Sequence, residues 1–212
     1  MENHGQASGR AQDIETVFRE RRSVRHFIPG RTVPRKAIER AIEAAGWAPS
    51  PHGTQPWRFA VVESLSRRTQ LADAMAADWR RQLALDGQDL ATIETRLDKS
   101  RERMLNASLL IIPCLYLGDQ HDYPDADRQE AEQVMAIQSF GAAMQNLLLS
   151  LQASGLDAGW MCAPLFCPDL VRDALDLDAA LVPHAMVPVG FAAREPVRRP
   201  RRPLDQLIVN WD

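Results

Sequence analysis

From Glu130 to Ser154 the spacing of apolar residues predicts a helix, the longest in the chain. Between Val134 and Leu151 the residues Met135, Ile137, Phe140, Met144, Leu147, Leu148 and Leu149 cover nearly all of its faces. A helix apolar all round must be covered all round, and 212 residues leave limited material to do it. Part of the cover is therefore expected from a second copy of the chain, which makes this helix the expected centre of a homodimer.

The rest of the chain reads as a mixed α and β order without repeats. Ile14, Val17 and Phe18 sit at helical spacing, and the turn at Pro29-Gly30 closes that first helix. Pro34 suits the first turn of a second helix with the stripe Ile38, Ala41, Ile42 and Ala45 and an end at Gly46. WRFAVV, 57 to 62, is a strand, and SLLIIPCLYL, 108 to 117, is apolar enough for a strand buried on both faces, with irregular pairing at Pro113. Between them, 65 to 106 reads as two amphipathic helices divided near Asp86-Gly87, a surface excursion with Met75, Trp79 and Leu83 on one face. A loop over GDQHDYPDADR, short strands at 158 to 162 and 182 to 191, and a helix from Asp169 to Leu175 complete the domain. The closing AAREPVRRPRRPLDQLIVNWD is too proline-rich for a helix and too apolar at Leu204, Leu207, Ile208, Val209 and Trp211 for a free tail, so it is expected to lie along a surface, the partner's included. Residues 1 to 12 read as a disordered N-terminus and 13 to 212 as a single domain.

Charge and cysteine usage exclude several classes. A net charge of -3 argues against a general nucleic-acid or anionic-membrane binder, because both need a net basic field. Three cysteines, Cys114, Cys162 and Cys167, match no zinc spacing and leave one unpaired, so the expected compartment is the reducing cytoplasm. No leader-like segment and no run of membrane-spanning length stands out. His121, Asp122, Asp125 and Asp127 lack the regular calcium-loop pattern and read as a solvated acidic turn, so no metal is expected there. His184 reads as a hydrogen-bonded core residue and Cys162 as a small buried hydrophobe. GxSxG, GKS/GKT and GxGxxG are all absent from the sequence.

Two arginine groups stand out against this mildly acidic background. Arg21, Arg22 and Arg25 flank Ser23, and Arg198, Arg199, Arg201 and Arg202 crowd the tail. Guanidinium binds phosphate through paired charged hydrogen bonds, so the two groups together suit a phosphate dianion. On charge alone a solvated positive face at each place is the heavier reading.

RRSVRHF, APSPHGTQPWRF, GLDAGWMCA and RPRRPLDQLIV, in that order and spacing, resemble the flavin-dependent nitroreductase family from about Ile14 to Val209. The resemblance implies an α+β fold with a mixed central sheet flanked by helices, a long interface helix, and a C-terminal arm laid on the partner subunit. It implies FMN as cofactor, NADH or NADPH as donor, and a small-molecule acceptor taking hydride by ping-pong kinetics. The basic-hydroxyl-basic positions fall on Arg21, Ser23 and Arg25, with Arg22 beside them, and Arg199 and Arg201 complete the phosphate site. The resemblance puts Arg25 at the flavin's pyrimidine edge, as electrostatic support for the reduced flavin, with Arg103 as a weaker second cation. Ser50, Pro51 and Gly53 match the segment against the flavin ring and ribityl chain, often supplied by the other subunit. Gly53 stands where many members carry asparagine, so a backbone contact is implied there and a side-chain one is not. Trp160, Met161, Cys162 and Ala163 match the turn that offers backbone amides to the ring. In a loop of this kind, prolines stiffen the backbone and glycine frees it where a planar ring must come close. His52, in the same loop, faces either substrate or solvent.

APSPHGTQPWRF, LADAMAADWRRQL, HDYPDADRQEAE and GAAMQNLLLSL also look like the flavin domain of the enzyme that joins glutamate to the deazaflavin coenzyme, which implies a dehydro-coenzyme reductase without the ligase domain. The helices at 65 to 106 and the loop 118 to 128 are then expected to form the substrate mouth. Two rival readings stand beside this one. One is a flavin-fragmenting dimethylbenzimidazole synthase on the same fold, and the other a non-enzymatic protein docking its arginine-rich tail on RNA or an acidic partner.

Overall fold

A computed structural model describes residues 14–211; the expectation for residues 1 to 12 lies outside them. Among the described residues, six α-helices and five strands follow in the order α1 (Ile14–Glu20), α2 (Arg35–Gly46), β1 (Trp57–Val62), α3 (Leu65–Leu85), α4 (Leu90–Asn106), β2 (Leu109–Tyr116), α5 (Ala126–Ala153), β3 (Asp157–Ala158), α6 (Pro168–Leu175), β4 (Leu181–Pro183) and β5 (Val187–Gly190). Short polar side chains start the long helices. Ser64 accepts from the Arg67 amide, Asp89 from Thr92 and Asp125 from Arg128, each satisfying a first-turn N–H that has no intrahelical partner. The Asp125 cap begins α5 earlier than the expected Glu130, because residues read as loop supply the cap and first turn.

The sheet runs β1-β2-β5-β3, with β4 also paired to β2. All four named ladders are antiparallel, and the one parallel pairing among the described residues is the isolated bridge between Ser23 and Ala158. The expected mixed sheet thus reduces to that bridge, since the connections between neighbouring strands reverse the chain each time. β2 is buried on both faces as expected. Leu109, Ile111 and Leu115 enter one core with α2 and α5, while Leu110, Ile112 and Cys114 enter a second with α3, α4 and α6. Pro113 explains why β4 and β5 are separate strands on one edge of β2. It has no N–H to donate, and its carbonyl accepts from both the His184 and Ala185 amides, so the ladder breaks there.

α2 lays its alanines, Ala37, Ala41 and Ala45, with Ile38, against α5, and the Asn146 side chain donates to the Ala44 carbonyl at 3.2 Å. The opposing α5 residues Phe140, Met144, Leu147, Leu148 and Leu151 are buried. By length and composition alone α5 is apolar enough to cross a bilayer, which corrects the expectation that no such run exists; its buried residues place it as a core helix. Val134 and Ile137 stay exposed on its N-terminal half, so this chain alone does not cover it.

His184 packs its ring against Phe140 at 5.2 Å between centroids, and burial pushes the imidazole below its ordinary value of 6.5. Its folded value is depressed, so the stability it contributes is present above 6.5 and is lost as pH falls below that point. Thermal melts taken from neutral into acid pH should show this loss, and His184→Gln should flatten the decline. Cys114 is buried and its thiol is pushed up to about 12. Cys162, expected as a buried hydrophobe, is exposed, as is Ala163 after it.

Candidate active site

The segment after α1 is held at both sides. Val24 donates to the Ala158 carbonyl at 2.9 Å on β3, and Phe27 bridges Ala192 beyond β5, with Ile28 donating to Phe191 and Ala193 to His26. Gly159 is required here. A Cβ at that position would stand 2.4 Å from the Val24 carbonyl oxygen, so any side chain would push the segment off β3. Because the tail leaves antiparallel to residues 26 to 28, it runs back toward Arg21.

The result is a cleft of about 630 Å³ lined by both arginine groups: Arg21, Arg22 and Arg25 on one wall, Arg194, Arg199 and Arg201 on the other, with Ser23 between. Glu195 is the one acidic residue among those lining it. The Arg21 guanidinium is held below its ordinary value first by burial, then by the charges of Arg201 and Arg22. Among the described residues the side chains of Arg21, Arg199 and Arg201 have no carboxylate partner. Like charges brought together without a counterion are a cost that a bound anion would remove. Arg22 is different. Its Nη1 donates to the Arg19 and Arg21 carbonyls at 2.6 and 2.7 Å, capping the end of α1. Its role is to hold the segment.

Arg103 reaches the same region from α4. Burial lowers its guanidinium, and the Arg25 charge lowers it further, while its Nε is buried without a hydrogen-bond partner. Arg68, not anticipated from sequence, anchors this end of α4. It is buried at 7% exposure, and its Nη1 donates to the carbonyls of Met104, Leu105 and Ala107, the last turn that precedes β2.

The turn Trp160–Ala163 adjoins the cleft through the Ser23 and Ala158 bridge and is fixed by paired Met161 and Met186 backbone hydrogen bonds. The Trp160 Nε1 is buried and unpartnered. Ser50, Pro51 and Gly53 are not among the residues lining this cleft. They form a tight turn beside the N-terminal half of α5, with His52, Gly53 and Gln55 at φ of 55°, 69° and 45°. Two non-glycine residues in the left-handed region within one short loop store strain that the surroundings must hold. The Ser50 hydroxyl accepts from the Gln55 amide at 3.1 Å, and the Thr54 hydroxyl donates to the Pro51 carbonyl. His121, Asp122, Asp125 and Asp127 gather no metal site, and Asp125 is committed to its cap.

Comparison with known proteins agrees with this geometry. The profile described as "Nitroreductase family" matches residues 18–191. Iodotyrosine deiodinase 1 of Sus scrofa is 30% identical over 207 residues, 94% of this chain and 69% of the relative. The 5,6-dimethylbenzimidazole synthase of Rhodospirillum rubrum is 28% identical over 185 residues, 86% of this chain and 83% of the relative. A crystal structure of a putative nitroreductase from Desulfovibrio desulfuricans in complex with FMN superposes with a TM-score of 0.70 at 25% identity, covering 100% of this chain and 99% of that one. None of these relatives is a deazaflavin enzyme, so they support the broad resemblance and not the narrow one. The chain belongs to the nitroreductase family of FMN-dependent oxidoreductases.

Proposed function

We propose that two copies of the chain bind FMN between them and pass hydride from NADH or NADPH to a nitro, quinone-type or unsaturated small molecule. The observation that carries this reading is the convergence of arginines from opposite ends of the sequence in one cleft without a counterion. The residues present fit FMN: Arg21, Arg199 and Arg201 with the Ser23 hydroxyl suit the phosphate, and Arg25 and Arg103 suit the electron-rich edge of the ring. When bound, FMN supplies reversible two-electron chemistry. The protein's own work is orientation and charge, with cations placed to favour the anionic reduced form.

The loop Ser50–Gly53 lies apart from the cleft within one chain, which supports a site completed by the partner's loop. Support for the dimer comes from apolar side chains left in water: Val134 and Ile137 on α5, and Val197, Leu204, Leu207, Val209 and Trp211 on the arm. The likeness to a dimethylbenzimidazole synthase favours a second reading in which reduced FMN itself is consumed by oxygen.

Purification tests the reading. A yellow dimer that releases FMN on denaturation and whose colour is bleached by NADH or NADPH is expected; a colourless protein that takes up no added FMN would overturn it. A screen of quinones, nitroaromatics, iodotyrosine and a dehydro-deazaflavin precursor then identifies the acceptor class, and release of dimethylbenzimidazole in air marks the second reading.

A further inference from the structure

The arginine cleft has two ends. Ala193 donates to the His26 carbonyl, and from that pairing the segment and the tail run back together toward Arg21. At the far end the charges that hold the Arg21 guanidinium down are those of Arg201 and Arg22; Arg194, at the near end, is not one of them. Arg194 and His26 both line the cleft at this near end, Arg194 exposed and His26 half-buried, so water and solutes reach them.

These two side chains are bonded to each other. Arg194 Nη2 meets His26 Nε2, and because a guanidinium can only donate, the imidazole nitrogen accepts. One basic group is thus the partner of another, and among the described residues no carboxylate pairs with Arg194. The acidic side chains on the adjoining stretches are engaged elsewhere: Asp157 accepts from the Ala192 amide at 2.7 Å, and Glu195 lies 3.9 Å from Arg198. Counting charges leaves the same surplus. Of the six arginines lining the cleft, Arg22 caps α1, Arg21, Arg199 and Arg201 suit the FMN phosphate, and Arg25 suits the ring. Arg194 remains, a concave-site cation whose charge nothing in the chain or the cofactor offsets.

We propose that Arg194 and His26 form a second anion subsite, which takes a phosphate or carboxylate carried by the electron donor or by the acceptor. The proposal rests on the oxidoreductase reading above and narrows its substrates to charged ones. The guanidinium offers paired donors to such a group, and the imidazole, once released from Nη2, adds a third contact. No covalent step is involved. The pair favours an anionic substrate over a neutral one of the same shape.

FMN-free protein gives the direct test. Inorganic phosphate should shift the ring resonances of His26 in a saturable way; Arg194→Gln should abolish that shift and Arg201→Gln should leave it. His26 signals that ignore phosphate, or that are lost with Arg201→Gln instead, would overturn the subsite. FMN-loaded protein then identifies the source of the anion. If the donor carries it, NADPH should reduce the flavin with a kcat/KM about tenfold above that of NADH; if the acceptor carries it, protein reduced in advance should favour p-nitrobenzoate over p-nitrobenzamide by the same factor. Arg194→Gln should bring the favoured pair close to parity, and Arg194→Lys should keep part of the preference. Equal rates within both pairs, or a preference that survives Arg194→Gln, would overturn the proposal. So would a loss of FMN from Arg194→Gln as large as that from replacing Arg201, which would assign Arg194 to the cofactor's phosphate. A protein that takes up no FMN would fail the oxidoreductase reading alone, and the phosphate titration would still decide the subsite.

Discussion

Replacing Arg21 and Arg201 together is expected to strip FMN from the protein while leaving it folded. A hydrogen bond to a charged group contributes about 1.5–3 kcal/mol, so each arginine should carry roughly one to two powers of ten in FMN affinity. The two losses will not simply add, since on the proposed reading both residues serve one phosphate. In the absence of FMN the sign reverses, because burial and the Arg201 charge already hold Arg21 below its ordinary value. Removing either charge relieves that repulsion, so the FMN-free double variant should melt at or above the unsubstituted protein's temperature. Fluorescence titration with FMN and melting of the FMN-free forms measure both effects. Wild-type affinity in the double variant would place the phosphate elsewhere. Arg22→Ala provides the contrast: with its Nη1 given to backbone carbonyls, it should loosen the end of α1 more than it weakens FMN directly.

The second large effect lies in the core. Leu147→Ala should destabilise the fold by about 2–5 kcal/mol, because the side chain is fully buried between α5, α2 and the sheet and its loss leaves a cavity. For a chain of this size each kcal/mol moves the melting point by about 2–4 °C. Ile137→Ala, on the same helix but 47% exposed, should leave the unfolding energy of the single chain nearly unchanged. If α5 is the dimer element, that variant should dissociate at higher protein concentration in size-exclusion runs. A large stability loss in both variants without dissociation would make α5 purely intrachain.

Much of the fold was legible because local signals agreed with the final packing. The division of α3 from α4 follows Asp86-Gly87, and the double burial of β2 follows its unbroken apolar run. The proline that hinted at irregular pairing sits where the ladder breaks. The start of α5 is not legible in the pattern, because Asp125 serves a helix cap with the same chemistry that marks a polar loop. The exposure of Cys162 is not legible locally, because apolar neighbours do not report whether a turn faces water. The arginine groups were visible, but their meeting depended on the tail reversing along residues 26 to 28, a long-range pairing without a local sequence signature. The burial of Glu132 has no local signature, because Glu130 two residues earlier is the same residue type and stays exposed.

The tail supplies three of the cleft's arginines and has almost nothing of its own chain to rest upon. Its seating and the occupancy of the cleft therefore belong to one linked equilibrium, and each must strengthen the other by the same factor. A protease nick near Pro200 would then act as cofactor depletion, and saturating FMN would act as protease protection.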